Sequence, residues 1–487
     1  MAKKFITHNH IAYLEVDQYI ISWNRFYPSL LKFKKEDFDQ ILKLINDKTL
    51  EKEFDEDFLT LLRKNHFLTD ENYLEKFNSE SHSFIEACQK EMINFSENEQ
   101  PFYSIQIFNE ECNLNCPYCI IKYTWGKIPH HEKSRIRDLD EIYHRVARII
   151  EKQYEIMKKH KKEDFVFSIN GGEFLIHYGL LKRIISYIRE TKDDKKSRIA
   201  LNTNGVLIND DIANFLVQND VDVFISIDGN KTHHDTTRVY HNGKGTYNDI
   251  INAIHLLKKH NFQRGSLSNI QGTIDNFSKI DLDELFTMSE YGFENARLST
   301  NLMGIDPVEG EKRAVQFFEI VKKSSGEKIK IHDGIFDNYR NVVDKGINLK
   351  FTPFCNGLGG RASAALMYNI SDNSLSYLCQ YVSSAFLHVD DDIVKYMHSS
   401  ELREKALNSI KRRNESILTN CKDCGIIGVC RGGCIMEGLT SQNEINEAAC
   451  NYQQTLWFLY VKDIFEQKNT QQKTMDGAAP DTSKFVQ

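Results

Sequence analysis

The chain has 487 residues, 41% of them hydrophobic, and a formal net charge of −7. That length predicts several domains, and the hydrophobic fraction is enough for a sizeable core. The acidic balance without a long basic run argues against a nucleic-acid-binding surface, and no apolar run of about 18 residues offers a membrane span. Lys3 and Lys4 near the start are not followed by an apolar signal core, so a cytoplasmic, reducing location is expected.

Residues 1–78 read as a small α/β module. Residues 11–16 and 19–23 have strand-like runs, Phe38, Ile41, Leu42, Leu44 and Ile45 recur at helical spacing, and so do Phe58, Leu59, Leu61 and Leu62. Residues 65–68 read as a closing strand, and the whole suggests a compact winged-helix-like unit. Residues 79–100 read as a polar helical connector carrying Cys88, expected to be a buried small hydrophobe. From 101 to 330, strand candidates at 103–108, 165–169, 198–201, 221–225, 266–273 and 296–300 alternate with helical patterns such as 142–157 and 180–189. Six strands alternating with helices predict an α/β fold, a parallel sheet wound as a partial (β/α)6 barrel with its chemistry at the C-terminal strand ends. Residues 331–466 are dense in glycine and cysteine until a final helix near 456–465, and 467–487 read as a disordered tail.

The cysteines carry the chemistry. There are eleven, an odd number, and all but Cys88 fall into two sets, which points to metal rather than to a disulfide framework. The first set, Cys112, Cys116 and Cys119, follows the first barrel strand as C-x3-C-x2-C. Three thiolates on one loop can hold three irons of a cubane and leave the fourth open, which is what coordination of a substrate or cofactor needs. A zinc site completed by His130 or His131 is the alternative, although a structural zinc takes four close ligands and no fourth lies nearby in sequence.

This loop, with Tyr118 just before its last cysteine, resembles the signature of the radical S-adenosylmethionine (SAM) superfamily. The resemblance implies that the open iron chelates SAM, and that one-electron reduction yields a 5′-deoxyadenosyl radical which abstracts hydrogen from a substrate. Further segments agree in order. Gly171-Gly172-Glu173 resembles the family's G-G-E-P, with Phe174 in place of proline, and Asn202-Thr203-Asn204-Gly205 contains its T-N-G. Ser226-Ile227-Asp228-Gly229 and His234-Asp235-Thr236-Thr237-Arg238 resemble S-x-D-G and H-D-x-x-R, and Thr273 ends the fifth strand. The resemblance implies that Gly171, Gly172 and Glu173 face the SAM amino group, that Ser226 and Asp228 suit its ribose, and that Arg238 suits its carboxylate. Tyr118, Asn202 and Thr273 complete the expected cofactor contacts.

The second set, Cys421-x2-Cys424-x5-Cys430-x3-Cys434 followed by Cys450, with Cys355 and Cys379 upstream, is similar to the SPASM extension of many radical SAM enzymes. Ser374 stands where that pattern has glycine, and the spacer after Cys355 is longer. The resemblance implies two auxiliary 4Fe–4S clusters, one on Cys421, Cys424, Cys430 and Cys450 and one on Cys355, Cys379 and Cys434. No cysteine follows Cys355 within residues 356–366, so the latter cluster has an open iron or takes a ligand such as Asp372 or a substrate thiolate. A zinc-ribbon-like fold is the alternative reading of the C-x2-C pairs.

The expected function is SAM-dependent oxidation of a ribosomally made peptide, forming a thioether or carbon–carbon cross-link, with residues 1–78 resembling a leader-peptide recognition domain. The expected partners are a precursor peptide with its leader and a reductant such as flavodoxin or ferredoxin. An anaerobic sulfatase-type maturase making formylglycine, and a non-catalytic iron–sulfur scaffold, are the competing readings.

Overall fold

The computed structural model describes residues 5–475 apart from 28, 71, 120, 122–137, 192–196, 263–268, 274–280, 282, 284–287, 292–294, 300–301, 303–304, 328–329, 333–335, 346–364, 378–386, 391, 431 and 434–444. No helix among the described residues is long and apolar enough to cross a membrane.

The chain begins with an antiparallel sheet of β1 (Ile6–His8), β2 (Ile11–Val16), β3 (Tyr19–Asn24) and β4 (Leu30–Lys34), paired in sequence order. His8 pairs with Ile11 and Val16 with Tyr19, so two-residue turns join the first three strands. Asn9 and Asp17 open those turns with positive φ, which short polar side chains tolerate. Helices α1 (Lys35–Asn46) and α2 (Glu56–Lys64) follow. Phe38, Ile41, Leu44 and Leu62 pack with Ile11, Ile20, Leu31 and Phe33 in a core of the module's own. The segment expected as a closing strand, 65–68, is instead the turn that ends α2. Phe67 and Leu68 donate their N–H groups back to the Leu62 carbonyl, at 2.8 and 3.3 Å. Their side chains are buried by this helix cap, with no strand needed to bury them. Helix α3 (Tyr73–Glu97) starts before residue 79, capped by the Asn72 side chain, and holds Cys88 buried on its inner face.

The expected central strands are present as β5 (Ser104–Asn109), β6 (Val166–Gly171), β7 (Arg198–Thr203), β8 (Val221–Ile225), β9 (Asn269–Thr273) and β10 (Asn295–Ser299). β5 to β8 pair in parallel and in order. β9 and β10 form a second parallel group with β11 (Lys330–His332). Helices α4 (Leu139–Lys159), α5 (Tyr178–Thr191) and α6 (Asp210–Gln218) connect the first group, and α7 (Lys231–Thr237) and α8 (Tyr247–Lys259) lie between β8 and β9. Side chains alternate along these strands. Ile105, Ile107, Phe167, Ile169, Ile199 and Leu201 are fully buried, whereas Gln106, Ser168, Asn170 and Asn202 form a half-buried polar row on the other face.

After α9 (Pro307–Lys323) and α10 (Phe336–Lys345) comes a strand that the sequence reading did not place in this sheet. β12 (Ala365–Asn369) pairs in parallel with β5, then turns into β13 (Ser374–Ser376) and β14 (Leu387–His388). The C-terminal cysteine-rich part therefore shares the central sheet. It ends in α11 (Ser400–Asn420), the short α12 (Ile427–Cys430) and α13 (Glu447–Met475). α13 runs past residue 467, where a disordered tail is expected. Each added helical residue gains one hydrogen bond after nucleation, and Gln and Lys are good helix formers.

The N-terminal sheet is docked on this C-terminal part. Trp23 is fully buried, donates Nε1–H to the Gly425 carbonyl at 2.7 Å, and meets Trp457 of α13 edge-on. Phe26 packs with Tyr73, Phe77, Ile417, Cys421 and Ile427. A Cβ on Gly428 would sit 2.1 Å from the Phe26 carbonyl oxygen, a backbone atom that cannot step aside. Residues 1–78 are thus wedged into a shared core. Trp23→Ala is expected to cost about 3–5 kcal/mol, the range for deleting a buried tryptophan, and Gly428→Ala about 1–3 kcal/mol through overpacking. Thermal or denaturant unfolding of the full chain measures both, and native midpoints in both variants would show that the docking contributes nothing.

Candidate functional site

The loop leaving β5 carries Cys112, Cys116, Tyr118 and Cys119. Leu114, Cys116 and Tyr118 are buried, with Cys112, Cys119, Val206 and Tyr240 packed around them. Two grips hold the loop. On one side, Asn115 N–H donates to the Val239 carbonyl at 2.7 Å, and Leu114 bridges Tyr240. On the other, the end of β6 pins the residues just before Cys112. Gly172 N–H donates to the Asn109 carbonyl at 2.8 Å, and Glu173 N–H to the Glu111 carbonyl at 2.7 Å. A Cβ on Gly172 would lie 2.1 Å from the Glu111 carbonyl oxygen, so only glycine permits this approach.

Glu173 has no exposed surface. Its carboxylate accepts from Leu175 N–H at 3.0 Å, Asn204 N–H at 2.7 Å and the Thr203 hydroxyl at 3.0 Å. Burial pushes its pKa up to about 7 against the opposing pull of those donors. The side chain is a strut between the ends of β6 and β7. Asn204 extends the strut to the cysteine loop, donating Nδ2–H to Asn113 Oδ1 at 2.8 Å, with Cys112 Sγ 3.9 Å away. Leu114 N–H also points at Cys112 Sγ, at 3.4 Å. Amide hydrogens aimed at a thiol sulfur suit a thiolate bound to iron.

Asp228, expected to suit the SAM ribose, is the second hub. Fully buried, it accepts from the Tyr118 hydroxyl and, at 3.0 Å, from the Thr237 hydroxyl, while Arg238 Nε–H donates to its other oxygen at 2.9 Å. Arg238, expected to face the SAM carboxylate, uses Nε to neutralise this aspartate and stands 5.7 Å from the Tyr118 ring centre. Asp228 N–H donates to His234 Nδ1 at 3.1 Å, so the proton of His234 is on Nε2, which donates to Thr246 Oγ1 at 3.0 Å; the Thr246 hydroxyl passes the chain on to the Arg238 carbonyl at 2.8 Å. Burial lowers the His234 pKa to about 4, which keeps this tautomer neutral.

The remaining expected contacts lie at the same strand ends. Asn202 at the end of β7 donates to Asn170 Oδ1, and Asn170 in turn donates to Ser168 Oγ at 3.0 Å. Ser226, half-buried one residue past β8, donates its N–H to the Thr203 carbonyl at 3.0 Å. Thr273 is the last residue of β9, opposite Ser299. His234, Thr237 and Asn204 lie within the motifs, but the motifs alone give them no role; their roles depend on contacts across loops.

In the C-terminal part, Cys421 caps α11, Cys424 N–H donates to the Cys421 carbonyl at 2.9 Å, Cys430 ends α12, and Cys450 lies in the first turn of α13. Burial raises the Cys430 thiol pKa furthest, and the charges of Cys450, Cys424 and Cys421 raise it further, so the four thiols share one neighbourhood. Burial likewise raises Cys421 to about 12 and Cys112 to about 11. Thiols so placed ionise at neutral pH only with a metal to take the charge. Among the described residues, no three His, Cys, Asp or Glu side chains close on one point as a single ion requires; thiolates that each take a different iron of a cubane stand farther apart. Cys355, Cys379 and Cys434 lie outside the described residues, as do His130 and His131. Asp372 lies at the β12–β13 turn, where its charge and, more strongly, burial raise the pKa of Glu110.

A sequence profile of the Radical SAM superfamily matches residues 107–287. The chain is 24% identical over 370 residues to the radical SAM cyclopropyl synthase TigE of Paramaledivibacter caminithermalis, covering 71% of each chain. It is 21% identical over 349 residues to a cysteine-type anaerobic sulfatase-maturating enzyme of Clostridium novyi, covering 67% of this chain and 85% of the relative. The solved structure of anSMEcpe with bound AdoMet superposes on 75% of this chain and 100% of its own at a TM-score of 0.54 and 20% identity, a likeness of fold.

Glu173 also makes a pH prediction. Its folded pKa, near 7, lies above the unfolded carboxylate value, so the native state holds the extra proton. The stability this contributes is complete below about pH 4 and is lost as pH rises through 7. Unfolding midpoints between pH 5 and 8 should therefore fall more steeply in the native chain than in Glu173→Gln; parallel curves would place the folded pKa in the ordinary range.

Proposed function

From the match of residues 107–287 to the Radical SAM superfamily, we propose that the chain is a radical SAM peptide maturase with auxiliary iron–sulfur clusters in its C-terminal part. The observation that carries the reading is the pair of separate thiol sets, Cys112, Cys116 and Cys119 beside the polar strand ends, and Cys421, Cys424, Cys430 and Cys450 where α11, α12 and α13 meet. When bound, SAM and its cluster supply a 5′-deoxyadenosyl radical.

The chain's own residues do the rest. Gly172 and Glu173 fix the height of the cysteine loop over the sheet, and Asp228 with Arg238 fixes its far side through Tyr118. The strand ends at Gly171, Asn202, Ser226 and Thr273 then form the cradle for SAM, in a partial barrel closed by the β9–β11 group. A substrate radical must lose an electron to become a closed-shell product, which is the work of the C-terminal clusters; the second, on Cys355, Cys379 and Cys434, belongs to the same proposal. A cyclopropane ring, as in the name of one relative, is closed by a new carbon–carbon bond, which agrees with cross-link formation. The structure of anSMEcpe with AdoMet and a peptide agrees with a peptide as the substrate.

Residues 1–78 are proposed to be a winged-helix-like leader-recognition module. β4 ends its sheet, leaving an edge to which an extended segment of the precursor peptide adds as a further strand. Flavodoxin or ferredoxin is the proposed reductant. A formylglycine-forming maturase is the second reading, favoured by sulfatase-maturating relatives matched over 85% and 86% of their lengths; the lack of a cysteine in residues 356–366 counts against it.

Anaerobically reconstituted protein is expected to hold about twelve irons, falling by about four when Cys112, Cys116 and Cys119 are all replaced by Ala. That triple variant should release no 5′-deoxyadenosine under reducing conditions; continued release would end the assignment of the SAM cluster to this loop. Mass spectrometry of a small peptide encoded beside this protein and co-expressed with it should show hydrogen loss within the core, whereas formylglycine in a neighbouring sulfatase would establish the second reading.

A further inference from the structure

A cluster on these four thiolates, Cys421 buried and Cys424, Cys430 and Cys450 half-buried, concentrates negative charge in a partly dry site, and such charge requires nearby compensation. Two arginines stand beside this cysteine set. Arg413 of α11, 3% exposed, donates an Nη2 hydrogen to the Gly432 carbonyl and faces Cys421. The other comes from the far end of the sequence. Arg25 follows β3 in the N-terminal module and is 7% exposed. Its Nη1 donates to the Lys422 carbonyl at 2.7 Å, and its own carbonyl accepts from Gly428 N–H at 2.8 Å. Its guanidinium lies 4.7 Å from the Phe26 ring centre, and Asp423 and Cys424 are the acidic groups that act on it. The residue is thus held on both flanks of Cys424, by its side chain at Lys422 and by its backbone at Gly428, yet the side-chain Nε–H is buried with no acceptor among the described residues. A buried donor of this kind, on a charged group, is destabilising unless something accepts it.

We infer that Arg25 is a positioning residue for the cluster on Cys421, Cys424, Cys430 and Cys450, its Nε–H donating to a cluster sulfur and its charge setting the cluster's reduction potential. The inference rests on the auxiliary-cluster reading above and goes beyond it. Hydrogen bonds to the sulfurs, net charge and solvent access set such potentials. Reduction adds a negative charge to an anionic centre, so a buried cation beside it favours the reduced form. The electron acceptor is thereby tied to the N-terminal module through one side chain.

The test is an EPR-monitored redox titration of the anaerobically reconstituted full-length chain, with the signal of this cluster identified as the one lost in Cys450→Ala. Arg25→Gln is expected to make reduction at least tenfold less favourable, a negative shift of about 59 mV for a one-electron couple. Arg25→Lys keeps the charge and loses the Nε donor, so its shift should be smaller and of the same sign. Native iron content with an unchanged midpoint in Arg25→Gln would overturn the inference. Should Arg25→Gln fail to hold iron, Arg25→Lys decides alone, its native midpoint overturning the inference and a negative shift upholding it. Native protein holding only about four irons would instead overturn the auxiliary-cluster reading, and the inference with it.

Discussion

The buried charge of Asp228 is the constraint on which the candidate site depends. A carboxylate with no exposed surface is costly unless its oxygens are met by donors, and breaking such an arrangement from one side costs about 3–5 kcal/mol. Here the donors come from places far apart in the chain: Tyr118 from the cysteine loop, Thr237 and Arg238 from α7 and its C-terminal end. Satisfying one side chain therefore brings the loop and the end of α7 together. Neutral His234 completes the hub from behind by accepting the Asp228 N–H. The loop's other end is governed by contact distance, because Gly172 lets the β6 backbone touch the β5 backbone where Cys112 begins.

The two thiol sets differ in how they are built. The first rides on one loop and needs only neighbouring strand ends to orient it. The second is assembled from a helix end, a short helix and the first turn of α13, and the N-terminal sheet packs directly against it. Trp23, Arg25 and Phe26 each touch the 421–428 segment or the residues around it. A module that contributes a buried tryptophan and a buried arginine to this region is part of its wall. Removing residues 1–78 would expose that wall, so truncation tests delivery of a peptide and integrity of the cluster region together.

Much of the central architecture was legible because parallel strands buried on one face write a period of two in isoleucine, phenylalanine and valine, and the connecting helices write their own. Elements decided by fewer residues were not. β1 and β4 are short and mixed in polarity, and β12 lies in a glycine-rich stretch whose neighbour, β5, is about 260 residues away in sequence. The apolar Phe67 and Leu68 were read as a strand because burial of two adjacent residues looks alike whether a sheet or a helix cap achieves it.

The sequence by itself determined the chemistry of the site: which residues carry thiols, in what spacing, and at the ends of which strands, because ligand spacing and strand periodicity are local properties of the chain. Only the tertiary structure decided what the charged residues between them do. Asp228 and Arg238 neutralise each other, Glu173 braces two strand ends, and Arg25 crosses from the first sheet to the last cysteines. Each of those roles is a distance between residues far apart in sequence, set by which buried donor or charge finds its partner as the core closes.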